Sequence, residues 1–191
     1  QDGSYSAEAI VTKVNADLAN SFGNLAQRTL SFIAKNCDGI LPQLEDPEPG
    51  TMPSNDRAFL LSVKTAARID LPEKFERLEL SQGIEIWLQA VFRCNQYIDL
   101  EAPWTLKKTD PDRMRVVLAT LVQAIIDLAV AISPVIPSSA GKLLDMLGVP
   151  ENERNYAALK DDGRYARLAA SGFRLAAPAP IFPRLDMPEE G

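Results

Sequence analysis

Apolar side chains in the first part of the chain recur at steps of three and four. Ile10, Val14, Leu18, Phe22, Leu25, Phe32 and Ile33 fall on one side of a helix turning about 100° per residue. Lys13, Asp17, Asn20, Asn24, Gln27, Arg28, Ser31 and Lys35 fall opposite. The pattern predicts one long helix over residues 6–36, with Ser6 as its N-cap and Gly39 as its stop. "LPQLEDPEPGTMP", residues 41–53, reads as a Pro-, Gly- and acid-rich loop.

A second helix begins at residues 54–56 and carries Phe59, Leu60, Val63 and Ala67 toward Ile69, stopping before Pro72. Pro72 suits the first turn of a short helical piece over residues 72–79. Ser81 can cap a third long helix bearing Ile84, Trp87, Val91, Tyr97 and Ile98, with Trp87 a core residue. It must end by Ala102, because the residue before a proline is driven out of the α region, and Trp104 is then expected in a turn. Asp110 caps the next helix, with Pro111 at its first position and Pro134 as its limit.

That helix contains the most apolar run, residues 116–132 (VVLATLVQAIIDLAVAI). It carries Gln123 and Asp127 and falls short of the roughly 20 residues a bilayer requires, so it is expected as a buried core helix. Pro137 opens a shorter helix that Gly148 ends, and a helical turn is expected over residues 152–159. The prolines of "RLAAPAPIFPRLDMPEEG" forbid regular structure over most of the remainder. There is no alternating strand run, heptad array or internal repeat. The expected architecture is all-α: a helical bundle of about five helices over residues 1–160 and a mostly extended C-terminal tail over residues 161–191.

Composition narrows the chemistry. The 191 residues are 46% hydrophobic and 24% charged, as in one globular domain, and carry no targeting signal. Two cysteines, Cys37 and Cys94, give neither a disulfide framework nor a metal-ligand spacing, which fits a reducing, cytoplasmic setting. With 20 basic against 26 acidic residues the net charge is -6, so the chain lacks the basic footprint of a broad nucleic-acid binder and can hold nucleic acid only locally. The absence of His removes the commonest general base, the usual partner of a Ser or Cys nucleophile and the commonest metal ligand. No catalytic or metal-binding residue is assigned. Asp161, Asp162 and the "EDPEPG" carboxylates are expected as solvated turns.

One face remains to be explained. Asn20, Asn24 and Arg28 recur every fourth residue and so point outward together. Amides and a guanidinium fork are groups that read the edges of unstacked bases, but a solvated outer face would carry the same residues. Trp104, beside Pro103 and close to Lys107 and Lys108, is either an exposed stacking platform or a lid on the core.

"VNADLANSFGNLAQRTLSFIAKNCDGILP" and "CNQYIDLEAPWTLKK" resemble the anticodon-binding domain of bacterial methionyl-tRNA synthetase, a class I enzyme. The first is similar to that family's "vN-DLaN-lGNL--R" helix and the second to its "N-YId--aPW-L-K" turn. "ISPVIPSSAGKLLDMLG" is similar to the segment that follows in many class I synthetases, and "PAPIFPRLD" to the end of the core enzyme. N-L-x-x-R alone also occurs in the synthetases for leucine, isoleucine and valine, so the "aPW" element tilts the resemblance to methionine.

The resemblance implies recognition of the CAU anticodon of tRNA(Met), within an enzyme that joins methionine to tRNA(Met) using ATP. It places the anticodon contacts on Asn24, Arg28 and Trp104, with Asn20 as a neighbour one turn earlier, and leaves phosphate contacts to Lys13, Lys35, Lys107 or Lys108. The family's H-I-G-H and K-M-S-K-S signatures are absent from this chain. The resemblance therefore implies a catalytic Rossmann domain before Gln1, with the ATP site and the zinc-binding insertion there and no cofactor in this piece. The implied partners are the tRNA(Met) anticodon loop and the catalytic domain of the same parent chain, with neither DNA nor membrane. Ile181, Phe182 and Leu185 would serve for docking on that catalytic half. The competing expectations are a helical protein-interaction module and the anticodon-binding domain of a synthetase for another amino acid.

Overall fold

The computed structural model describes residues 18–43 and 52–175, with helical backbone also at Thr12 and Ala16. A π turn, Leu18–Phe22, leads into α1, Gly23–Asn36. Next come α2 (Ser54–Thr65), a π turn (Ala66–Asp70) and α3 (Leu71–Glu76), which follow one another without a break. Then come α4 (Leu80–Glu101), α5 (Pro103–Thr109), α6 (Pro111–Ile132) and α7 (Pro137–Met146). Two 3₁₀ turns, Glu151–Glu153 and Ala158–Lys160, lead to α8, Arg164–Ala170. Among the described residues there is no strand, only one isolated antiparallel bridge between Ile40 and Arg174.

The centre of the molecule is α6, which packs against α1, α2, α4, α5 and α7. It is apolar nearly all round, and a helix without a polar face has to be surrounded. From Val117 onward every residue but Gln123 is buried. Although the apolar run alone is shorter than a bilayer requires, the whole helix of 22 residues is long and apolar enough to cross one, and it is burial against the other helices that makes it a core helix. Asp110 starts it as expected, its Oδ1 accepting from the Arg113 N–H at 3.0 Å. Trp87 is fully buried against α6, with Nε1 donating to the Leu128 carbonyl at 2.9 Å and its ring meeting Phe22 edge-on at 5.0 Å. One aromatic side chain thus joins the entrance of α1 to α4 and α6.

The structure departs from the sequence expectations at several elements, beginning with the long helix expected over residues 6–36, which the π turn Leu18–Phe22 interrupts. Pro72 does not follow a helix end: the wider π turn ahead of it leaves room for a ring that would otherwise meet the carbonyl four residues back. The third long helix starts at Leu80, before Ser81, and has no side-chain cap. Trp104 lies in the first turn of α5 and not in an irregular turn, because Pro103 opens a new helix as soon as it has closed α4. The segment after residue 160 is not simply extended, since α8 occupies Arg164–Ala170 with Tyr165, Leu168 and Ala169 buried.

Long-range polar contacts hold α8 in place. Arg164 donates to Asp127, the single acid of the apolar run, and Arg68 approaches the same carboxylate at 3.4 Å. Burial pushes the Asp127 carboxyl above its ordinary range, while the guanidinium groups of Arg164 and then Arg68 oppose that shift. Asp162 is not a merely solvated carboxylate: it accepts from Lys64 at 2.8 Å and from Arg68 at 2.9 Å, which holds its pKa low. Asp161 likewise accepts from Arg167 at 2.7 Å and from the Gly163 N–H at 2.9 Å. Beyond α8 the chain returns to the exit of α1, where the Leu175 N–H donates to the Gly39 carbonyl at 2.7 Å and the Tyr165 hydroxyl to that of Pro42 at 2.7 Å. Ser6, Lys13, the "EDPEPG" carboxylates and the docking candidates Ile181, Phe182 and Leu185 lie outside the described residues.

Gly148 ends α7 at φ +70°, and the space its Cβ would fill is taken by the Phe173 ring, 2.5 Å away. Gly148→Ala therefore meets both a left-handed backbone and an aromatic ring. A loss of about 1 to 3 kcal/mol in urea denaturation is expected, and an unchanged midpoint would refute this account of the corner.

Candidate nucleic-acid interface

The polar stripe starts in the π turn and continues along α1. Asn20 and Asn24 are exposed and Arg28 is half-buried, while Phe22, Leu25, Ala26 and Ile33 of the same segment are buried. α1 therefore lies with one flank in the core and the stripe outside. Wide π turns recur where a helix has to re-aim side chains, and Asn20 sits in one.

Trp104 reaches the same place from another part of the chain. α4 closes at Ala102, which adopts φ +43°, a left-handed conformation costing about 1 to 2 kcal/mol for a residue with a Cβ. Pro103 then opens α5, and the Thr105 N–H donates back to the Ala102 carbonyl at 2.8 Å. This sharp corner leaves the Trp104 indole 44% exposed, so it is not a lid on the core.

The Arg28 guanidinium carbon lies over that indole, 5.5 Å from the ring centroid. Its Nη2 donates to Asp99 Oδ1 at 2.7 Å, and one turn earlier on α4 the Asn95 amide donates to the Ser21 hydroxyl at 3.3 Å. These two contacts form a seam between α4 and the π turn with α1 that follows it, with Asn24 on the outer side of α1. The Arg28 and Asp99 side chains are 37% and 61% exposed, so their ion pair contributes only about 0 to 1 kcal/mol and opens easily. The cation over the ring adds about 0.5 to 1 kcal/mol.

The structure therefore brings Arg28 and Trp104 into contact, with Asn24 and Asn20 on the same side of α1. Lys107 and Lys108 are exposed in the last turn of α5, and Lys35 in that of α1. Sequence reasoning did not single out Asp99: its partner is 71 positions away, so no local spacing marks it. A groove of about 560 Å³ lined by Arg57, Leu61, Lys64 and Ile69 shares no residue with this surface. Among the described residues no cluster of three or more His, Cys, Asp or Glu could hold a metal ion. The interface offers an exposed aromatic face, amide edges and movable cations, which can stack on and hydrogen-bond to unstacked bases.

Comparison with solved structures gives the class of protein that this helical arrangement defines: a helical domain of an aminoacyl-tRNA synthetase. The crystal structure of free-state Mycobacterium tuberculosis methionyl-tRNA synthetase matches with a TM-score of 0.77 and 36% identity, over 98% of this chain and 36% of that one. The family described as the anticodon binding domain of methionyl tRNA ligase matches residues 46–190, and the chain belongs to it. Methionine–tRNA ligase of Rhizobium meliloti (strain 1021) is 40% identical over 189 residues, 99% of this chain and 35% of the relative. That of Mesorhizobium japonicum is 44% identical over 191 residues, 96% of this chain and 34% of the relative. The chain thus spans about a third of the length of these curated relatives.

Proposed function

We propose that this chain recognises the CAU anticodon of tRNA(Met), and that it does so for an enzyme that joins methionine to tRNA(Met) in the cytoplasm. The observation that carries the reading is the Arg28 guanidinium lying over the exposed Trp104 indole, at the end of a stripe that also presents Asn24 and Asn20. An anticodon loop can splay its bases, and every base has a face that stacks on an indole. One base stacks on Trp104, and the Watson–Crick edges of its neighbours meet the Asn24 amide and the Arg28 fork. Arg28 exchanges its exposed pair with Asp99 for the RNA at little cost.

ATP belongs, in this proposal, to the two-thirds of the curated relatives that the chain does not span. One solved relative, methionyl-tRNA synthetase of Mycobacterium tuberculosis, was crystallised bound by methionyl-adenylate. The chain's partners are the anticodon loop and the catalytic domain of a common parent. Cys37 and Cys94 are free thiols, in keeping with a reducing compartment.

The test is tryptophan fluorescence during titration with a stem-loop RNA carrying CAU, at low salt, against the same loop with its anticodon replaced. Trp87→Phe removes the buried signal and leaves Trp104 as reporter. CAU-dependent quenching is the expected result. Equal responses to both loops would overturn the anticodon specificity, and no response to either would overturn RNA recognition by this chain.

A further inference from the structure

Phe92 is 60% exposed on α4. Seven residues on, Asp99 lies on the same α4 face, since a heptad returns to within about 20° of its starting direction. Asp99 is the residue that holds Arg28 over Trp104. Phe92 is thus on the seam side of α4, two turns or about 10 Å before Asp99. Between them Asn95 donates to Ser21, the neighbour of Asn20 in the π turn. Along the chain, Asn95 and Asp99, the α4 residues that touch the stripe, lie between two exposed aromatic residues, Phe92 before them and Trp104 after them.

We propose that Phe92 is a second stacking platform of this interface, taking a base of the same single-stranded loop beyond those held at Arg28 and Trp104. The proposal rests on the anticodon-recognition reading and extends it. The surroundings of the ring favour a base over a protein partner. Its exposed neighbours one turn away on either side are Gln89 and Gln96, with Arg93 beside it. Leu88, one turn earlier, is the half-buried apolar neighbour, and the rest of the rim is amides and a guanidinium, which give a π-face with donors and acceptors beside it and suit a base better than a protein partner. Asp99, the acid on this face nearest to Trp104, is already paired with Arg28.

The experiment measures the affinity of the whole chain for the CAU stem-loop in Phe92→Ala, Phe92→Tyr and Phe92→Leu, with Trp104→Ala alongside. Stacking predicts a roughly 5- to 150-fold loss in Phe92→Ala, a similar loss in Phe92→Leu and near-parental binding in Phe92→Tyr. Far-ultraviolet circular dichroism confirms that each variant is folded, as expected for an exposed site. Binding unchanged in Phe92→Ala but weakened in Trp104→Ala would overturn the platform and leave anticodon recognition standing. Leu substituting as well as Tyr would also overturn it, by reducing the ring to apolar filler. No loss in either alanine variant would overturn the recognition reading, and this proposal with it.

Discussion

Asp56→Ala is expected to lower the stability of the bundle by about 3 kcal/mol, the lower end of the range for breaking a buried ion pair by removing one partner. Asp56 is completely buried in the first turn of α2, yet both of its carboxylate oxygens are engaged. The Tyr97 hydroxyl donates to its Oδ1 at 2.7 Å, Arg113 Nη2 donates to the same oxygen at 2.9 Å, and Arg113 Nη1 donates to Oδ2. Arg113 Nη2 also reaches Glu101 at 2.7 Å. Burial, and then the bond to Asp56, push the Tyr97 hydroxyl well above its ordinary pKa, so it remains a proton donor. Without the carboxylate, Tyr97 loses its acceptor deep in the core and Arg113 keeps only Glu101. The Arg113 side chain is 22% exposed and can gain water, which is why the lower end of the range applies.

The network ties the start of α2 to the end of α4 and the start of α6, next to the corner that carries Trp104. The urea midpoint of Asp56→Ala measures the loss directly. In the double variant Asp56→Ala/Arg113→Met the loss should be smaller than the sum of the single losses, because both break the same contact. A loss below about 1 kcal/mol in Asp56→Ala would mean that the carboxylate is dispensable, and the network would then not be what fixes the corner.

Why some of this was legible in the sequence and some was not follows from the range of each interaction. α6 was legible because apolar period, Asp110 cap and Pro111 all lie within it and agree. The limit of α4 at Ala102 was legible because a proline acts on its immediate neighbour. α8 was not: it has seven residues and no side-chain cap, and it is secured by Arg164 reaching Asp127 and Tyr165 reaching Pro42. No local propensity records such contacts. The π turn before Pro72 was hidden because its residues, AARID, are ordinary helix residues. At the interface, the spacing of Asn20, Asn24 and Arg28 placed them on one face, but the physics of that spacing was equally that of a solvated surface. The tryptophan's place beside Arg28 depends on the fold of α4 and α5, and only the resemblance to a known family joined the two beforehand.

Trp104→Ala should weaken binding of the CAU stem-loop by about 1 to 3 kcal/mol, or roughly 5- to 150-fold, the usual worth of one stacked base. Its stability cost should stay small, because the indole is 44% exposed and its removal opens no core cavity. Arg28→Ala should cost a similar amount, and the two losses should not add. Arg28 lies over the ring that Trp104→Ala removes, so a double-mutant cycle should show a coupling of about 0.5 kcal/mol or more. Strict additivity would mean that the contact in the free chain plays no part in the complex. Salt dependence then assigns the task of Arg28. A guanidinium on a phosphate releases counterions, so removing it flattens the plot of log affinity against log salt by about 0.7 per contact on a single strand. A guanidinium on a base edge leaves the slope nearly unchanged and instead reduces the preference for CAU over other anticodons. Its place beside an exposed stacking ring, one turn along the stripe from the Asn24 amide, argues for the base edge, and loss of anticodon preference at constant slope is the expected outcome.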